Sequence, residues 1–307
     1  MDTRRIGSLE VSVVGLGCNN FGRRLDAQAT SAVVDAALEA GITFFDTADT
    51  YGDTKSEEYL GRALGRRRED VVVATKFGSM IDEQRRGARP EYVRQAVEDS
   101  LRRLGTDRID LYQLHWPDPE VPIGETLGAL DELVKAGKVR EIGCSNFSPE
   151  QLCEAEEATR EGAARLVSVQ NEYSLLHRDP EEEILPECER LGMAFVPYFP
   201  LANGLLTGKY RRNQAAPAGS RLDSASGERL LTEENFAVVE RLIEFSESRG
   251  RTILELAFSW LLKRPAVASV IAGATSAEQV RGNAGAASWQ LTDEELNEVD
   301  SIVTSPG

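Results

Sequence analysis

Four side chains in this sequence, Asp46, Tyr51, Lys76 and His115, are of the types that deliver a proton to a developing alkoxide. Asp46 and Tyr51 share the stretch FFDTADTYGD, residues 44–53, where an apolar pair runs into an acid and a phenol follows five residues later. A free phenol titrates at about 10, too weak an acid to protonate an alkoxide readily at neutral pH. A lysine ammonium beside it favours the phenolate and lowers that value. An aspartate paired with the lysine keeps the ammonium charged and aimed, and a histidine opposite can hydrogen-bond a carbonyl oxygen. Such a group has no nucleophile of its own. The missing reagent is a hydride, and a hydride requires a cofactor.

Taken singly, each residue has an ordinary reading. An aspartate after a strand is commonly a helix N-cap or turn residue, a lysine there is commonly solvated, and His115 in LHWPDP could simply pack on Trp116. Position is what joins them. Eight apolar runs recur along the chain: 11–17, 43–46, 70–75, 108–115, 139–145, 166–171, 193–198 and 267–273. Their apolar residues are continuous rather than alternating, as in strands buried on both faces.

Amphipathic segments separate the runs. PEYVRQAVEDSLRRLG (90–105) opens with Pro90, closes with Gly105 and places Val93, Ala96, Val97, Leu101 and Leu104 on one face. SPEQLCEAEEA (148–158) begins with a capping box, Ser148 with Gln151. Eight strands alternating with helices predict an α/β fold, a closed (β/α)8 TIM barrel, formed as a single domain over 1–307; a doubly wound open sheet is the alternative. RRIGSLEVS predicts a short N-terminal hairpin around Gly7 and Ser8, capping the barrel floor. The stretch 204–230, rich in Gly, Ser and Arg, is a long loop of the kind that serves as a lid.

In such a barrel the strand ends converge on one mouth. Asp46 ends the second strand, Lys76 follows the third and His115 ends the fourth. Ser145 and Asn146 follow the fifth, Gln170 and Asn171 end the sixth, and Tyr198 ends the seventh.

The totals narrow the function. The chain has 307 residues, 41% hydrophobic and 28% charged, with a net charge of −16. That charge disfavours nucleic acid and anionic membranes as partners, and an anionic ligand requires a local basic pocket. No apolar run reaches the roughly 18–20 residues of a membrane span, and the N-terminus lacks signal-peptide features. A cytoplasmic protein is expected. Cys18, Cys144, Cys153 and Cys188 form no CxxC pair and read as reduced packing thiols. With only His115 and His177 present, a histidine-rich metal site is not expected.

The chain resembles the aldo-keto reductases along nearly its whole length. GITFFDTADTYGDTKSEEYLGRAL (41–64), VVVATKFG (71–78), RIDLYQLHWPDP (108–119), GKVREIGCSNFS (137–148), YFPLANGLLTGKY (198–210) and IAGATSAEQVRGNAGA (271–286) carry the resemblance in order. It is nearest to the microbial reductases and the voltage-gated potassium-channel β-subunits. The resemblance implies that Tyr51 is the general acid in carbonyl reduction, with Lys76 and Asp46 its tuning pair and His115 the substrate-orienting donor. His177 matches no catalytic position.

The resemblance also implies a nicotinamide dinucleotide extended across the mouth without a Rossmann domain. GLGCNNFG imitates GxGxxG only loosely, and Gly17 reads better as a strand-end glycine allowing close backbone approach. Ser145, Asn146 and Gln170 would hold the carboxamide, and Tyr198 would stack on the nicotinamide or serve as a core aromatic. Backbone from Phe199 through Pro200 and Leu201 to Gly204, with Lys209, would hold the pyrophosphate.

NADPH is favoured over NADH. Thr275 and Ser276 stand where many relatives carry Lys or Arg, so Arg221, Arg281 and the two hydroxyls would meet a 2′-phosphate. Gln279 and Asn283 would meet the adenosine, and Gly282 departs from the acidic residue common there. The partner is then a small-molecule carbonyl compound, with Trp116, Phe21 and Phe147 as candidate pocket walls. Two rivals stand beside this reading: an NADP(H)-binding regulatory, redox-sensing subunit with slow turnover, and a barrel using the Lys76 amine in a Schiff base.

Overall fold

The computed structural model describes residues 1–212, 214–217, 220–222 and 228–304. Strands β1 (Thr3–Ile6) and β2 (Leu9–Ser12) pair antiparallel, and Gly7 takes a φ of 56° in the turn between them. Eight parallel strands follow: β3 (Val14–Gly17), β4 (Phe44–Asp46), β5 (Val72–Phe77), β6 (Ile109–Leu114), β7 (Val139–Ser145), β8 (Leu166–Gln170), β9 (Ala194–Phe195) and β10 (Val270–Gly273). Helices α1 (Ala27–Glu39), α2 (Lys55–Leu64), α3 (Pro90–Leu104), α4 (Ile123–Lys135), α5 (Pro149–Ala158) and α6 (Ile184–Leu191) alternate with them. Helices α7 (Glu233–Glu247) and α8 (Ile253–Leu262) precede β10; α9 (Ala277–Gly285) and α10 (Asp293–Thr304) follow it.

The sheet order is β10-β3-β4-β5-β6-β7-β8-β9, every neighbour parallel, which is the (β/α)8 arrangement. Closure between β9 and β10 is slight. Phe195 N–H donates to Ala266 O at 2.7 Å and Ala268 N–H donates to Phe195 O at 2.9 Å, forming one bridge rather than a ladder.

Alternation along each strand explains the continuous apolar runs. Phe44, Val72, Ala74 and Leu111 point into the barrel and pack with Ile6, Leu9 and Val11 of the hairpin. Phe45, Val73 and Tyr112 point outward into the helix layer. Both faces are buried, so both are apolar. The hairpin caps the floor as expected, with Ser8 N–H donating to Glu141 and Arg4 donating to the carbonyls of Leu262, Arg264 and Val267.

Helix α3 ends at Gly105 in a left-handed cap with φ 65°, and all five residues of its predicted apolar face are buried. The capping box opening α5 is present on both sides, Ser148 accepting from Gln151 N–H and Gln151 Oε1 from Ser148 N–H.

Several predicted boundaries move. The run 11–17 divides between β2 and β3, because an unbroken apolar run hides the point where the chain leaves the hairpin for the barrel. The run 193–198 shrinks to Ala194–Phe195, since Pro197 has no N–H to give a ladder. The run 267–273 shortens to Val270–Gly273. Lys76, expected just beyond its strand, lies within β5. Of the predicted lid, residues 213, 218–219 and 223–227 lie outside the described residues. No helix among the described residues is long and apolar enough to cross a membrane.

Candidate active site

The period-2 alternation that fills the barrel also builds its mouth. Inward positions run Phe44 to Asp46 on β4, Val72, Ala74 and Lys76 on β5, and Leu111 to Gln113 on β6. The upper layer of the barrel interior is therefore polar where the lower layers are apolar. Lys76 is fully buried, and its ammonium donates to Asp46 Oδ2 at 2.7 Å and Thr47 O at 2.9 Å. The other carboxylate oxygen, Oδ1, accepts from Gln170 Nε2 at 2.9 Å and Gln113 Nε2 at 3.4 Å.

Tyr51 stands over this pair. Lys76 Nζ lies 5.2 Å from the centre of the phenol ring, and the His115 ring meets it edge-on with centroids 5.8 Å apart. The loop that carries Tyr51 is sharply bent, with Gly52, Asp53 and Thr54 all left-handed at φ 59°, 53° and 72°. At Gly52 a Cβ would run into the carbonyl oxygen of Phe21, so the close approach of the 18–25 loop requires glycine.

The electrostatics follow from burial. Burial raises the Tyr51 phenol above its ordinary value; Lys76 opposes this by charge and hydrogen bond, and Asp46 adds to it. The expected net lowering by lysine is thus not what results. The lysine pulls in the expected direction, but desolvation outweighs it. Burial alone would lower the Lys76 ammonium, yet Asp46 and Tyr51 overcome it and the net direction is up. A buried amine held charged in this way is a poor Schiff-base nucleophile.

His115 is lowered to about 3 by burial and then by Lys76, so the imidazole is neutral at physiological pH. Its Nδ1 has no hydrogen-bond partner among the described residues. The arrangement can keep a proton on a phenol, loosen it with an adjacent ammonium and offer a neutral imidazole to a carbonyl oxygen.

Four of the expected cofactor residues, Ser145, Asn146, Gln170 and Tyr198, are linked by hydrogen bonds beside this centre. Ser145 Oγ donates to Gln170 O at 2.7 Å, and Asn146 Nδ2 donates to His115 O at 2.9 Å. Asn146 is left-handed at φ 62°, and its Oδ1 accepts from Tyr198 OH at 2.9 Å. Tyr198 is half-buried beside Phe199, and burial, with Glu172 and Tyr51, pushes its phenol up to about 12. Past Pro200 and Leu201 the backbone is left-handed again at Ala202 and Asn203, with φ 44° and 56°, and at Gly204 with φ 102°.

Lys209 Nζ lies beside Gly204, and Arg221 donates to Asn19 Oδ1 at 3.2 Å over the Phe199 ring. Burial, then the charges of Arg24 and Arg23, lower the Arg221 guanidinium. Arg221 thus has two further cations acting on it in a chain whose net charge is −16. Gly17 ends β3 level with Asp46 and Gly273; a Cβ there would be 3.5 Å from Gly273 N, so the protein's own packing does not demand glycine.

Gln279 Oε1 is engaged by Thr275 N–H at 2.8 Å, and Ser276 caps α9, where Asn283 is buried. Arg281 pairs with Glu39 of α1 at 3.4 Å. Phe21 and Phe147 are core residues at 0% and 3% exposure, whereas Trp116 is 53% exposed beside His115. His177 lies 4.0 Å from Asp179 and takes no part in the site. A groove of about 590 Å³ lies outside the barrel between α2 and α3, and another of about 950 Å³ between the 65–70 turn and the end of α3; none of the four central side chains lines either. Sequence reading missed the hold of Gln113 and Gln170 on Asp46, because an uncharged amide on an inward strand position carries no distinctive signal.

The donor set suits a nicotinamide dinucleotide: amide and hydroxyl groups next to the phenol, a left-handed backbone run, then cations. Comparison with known proteins agrees. The aldo/keto reductase family model matches residues 13–304. A probable aldo-keto reductase of Glycine max is 36% identical over 308 residues, covering 96% of this chain and 86% of the relative. The aldo-keto reductase YhdN of Bacillus subtilis is 34% identical over 305 residues, covering 96% and 91%. A solved glycerol dehydrogenase of Gluconobacter oxydans superposes with a TM-score of 0.86 at 35% identity, over 98% of this chain and 95% of that one. Because these matches run the length of the chain rather than over an isolated motif, the protein belongs to the aldo/keto reductase family, oxidoreductases that use nicotinamide cofactors.

Proposed function

We propose that this chain reduces aldehydes or ketones to alcohols with NADPH, reversibly, with Tyr51 as the general acid. The observation that carries the reading is the buried Lys76 ammonium, held by Asp46 at 2.7 Å on one side and facing the Tyr51 ring on the other. When bound, the reduced nicotinamide supplies the hydride that these side chains lack.

The protein's own part is positioning and proton transfer. His115, neutral, donates to the carbonyl oxygen and orients it. Tyr51 gives its proton to the same oxygen as negative charge develops there, and Lys76 stabilises the phenolate left behind. Asp46, steadied by Gln170 and Gln113, keeps the ammonium charged and in place. Ser145, Asn146 and Gln170 hold the carboxamide, and Tyr198 packs on the ring. The backbone from Phe199 through Gly204, with Lys209, takes the pyrophosphate. Gly17 leaves room beside the nicotinamide half, and Thr275, Gln279 and Asn283 take the adenosine half.

Preference for NADPH rests on Arg221 and its neighbours Arg23 and Arg24. Arg221→Ala is expected to raise KM for NADPH about tenfold while leaving that for NADH nearly unchanged, on the scale of one charge-assisted phosphate contact. Equal effects on both cofactors would place Arg221 elsewhere. Steady-state NADPH oxidation with a panel of aldehydes and ketones tests the activity itself. Tight cofactor binding with negligible turnover throughout would favour the regulatory subunit instead.

A further inference from the structure

Behind the four central residues lies a second polar cluster, in the layer between the sheet and helices α2 and α3. Asp49 is its unusual member. It is 1% exposed, two residues before Tyr51, and no side chain among the described residues hydrogen-bonds its carboxyl, on which only the Thr50 backbone amide acts as a donor. Its backbone N–H donates to Lys76 O at 3.1 Å, and Tyr51 N–H donates to Ala48 O at 3.2 Å, so one short turn ties the acid to both lysine and phenol.

The groups facing Asp49 come from four elements. Glu57 of α2 is fully buried, accepts from Thr75 Oγ1 at 2.6 Å and is paired with Arg103 of α3 at 2.6 Å. Tyr92 of α3 and Tyr112 of β6 lie within its field, and the Tyr112 hydroxyl is also unpartnered among the described residues. Lys76 of β5 is the remaining charge, already committed to Asp46. Glu57 and Arg103 balance each other. An ionised Asp49 would therefore be a surplus negative charge in a buried layer, the costly case for any carboxylate.

Resting on the function proposed above, we propose that Asp49 is a positioning residue that carries a proton in the working enzyme and sets the strength of Tyr51 through Lys76. With the proton on, the ammonium acts on the phenol undiminished. When the proton leaves to solvent, the new carboxylate, two residues from Tyr51 and within the field of Lys76, offsets part of that pull, and Tyr51 becomes a weaker acid. The exchange falls in the neutral range, since burial and then Glu57 raise Asp49 to about 7 against Arg103, the Thr50 amide and Lys76.

Two readings test this. In kcat for carbonyl reduction, the wild type is expected to fall through a limb at about 7, and Asp49→Asn, which cannot ionise, to lack it. The same limb in Asp49→Asn would overturn the proposal. Glu57→Gln removes a charge that holds the proton on, so it is expected to move the limb to lower pH. If Asp49→Asn does not fold, an unmoved limb in Glu57→Gln overturns the proposal in its place.

Infrared difference spectroscopy of the protein without added substrate reads the proton directly. A protonated-carboxyl carbonyl band is expected to vanish as pH rises through about 7 and to be missing from Asp49→Asn. No such band overturns the inference whatever the turnover shows. If no carbonyl compound is reduced, the proposed function fails, and the infrared result alone decides whether Asp49 holds its proton.

Discussion

Tyr51 is a phenol under two opposing pulls: burial, which keeps the proton on, and the Lys76 ammonium, which loosens it. A proton donor for an alkoxide needs both, because it must arrive protonated and yet part with the proton in the transition state. Tyr51→Phe keeps the ring and removes the proton. It is expected to lower kcat by roughly 10²–10⁴-fold, the contribution of a positioned general acid, with NADPH affinity unchanged by fluorescence titration. Wild-type turnover in that variant would refute the assignment. Lys76→Met leaves burial unopposed, so ionisation of Tyr51 moves to higher pH. In the oxidation direction, where the proposed function makes the phenolate the base, the rising limb of the pH–rate profile is expected to shift alkaline. A limb that stays put would count against the coupling. His115, lowered to about 3, is expected to add no limb of its own in the neutral range.

At the scale of elements, the site is the top of a period-2 pattern. Strands β4, β5 and β6 each run apolar from the floor and turn polar at the last inward position, so the geometry of the centre is that of the sheet. His115 sits one residue past the end of β6, and Tyr51 comes from a loop that is held by its left-handed run and by the 18–25 loop packed on Gly52. Gly52→Ala forces a Cβ into the Phe21 carbonyl at a φ of 59°. Strain of this kind costs on the order of 1–3 kcal/mol. The variant is expected to melt at a lower temperature and to lose kcat more than affinity for cofactor, as the phenol is displaced. Unaltered melting and kcat would show that the turn relaxes without cost.

Across the whole molecule, the barrel is closed at both its weak places by residues distant in sequence. The floor is shut by Ile6, Leu9 and Val11, and the β9–β10 seam by the Phe195 bridge. Leu9 is 1% exposed beneath the inward layer, and Leu9→Ala is expected to cost about 2–5 kcal/mol, as for other buried leucines. Denaturant unfolding measures that loss. The folded fraction should reduce substrate at the wild-type kcat, since the hairpin lies at the end opposite the mouth; a large fall in kcat would mean that floor packing reaches the catalytic layer.

Much of this was legible because it is local or periodic. Pro90 and Gly105 bound their helix, the Ser148–Gln151 box opens another, and the apolar runs mark strands whose two faces are both covered. The residues at strand ends could be named as a group because a barrel brings all its strand ends to one rim. What stayed hidden depends on pairing across long separations. Gln113 and Gln170 reach Asp46 from 67 and 124 positions away, and an amide announces no such duty. Nor does the chain reveal that burial outweighs the lysine at Tyr51, or that the Asp49 carboxyl, in the field of Glu57, finds no side-chain partner among the described residues. Residue type and spacing specify which groups are available and which way a strand turns them. The free energy of each charge depends on the dielectric and the neighbours around it, and those exist only once the sheet has closed and the helices have packed against it.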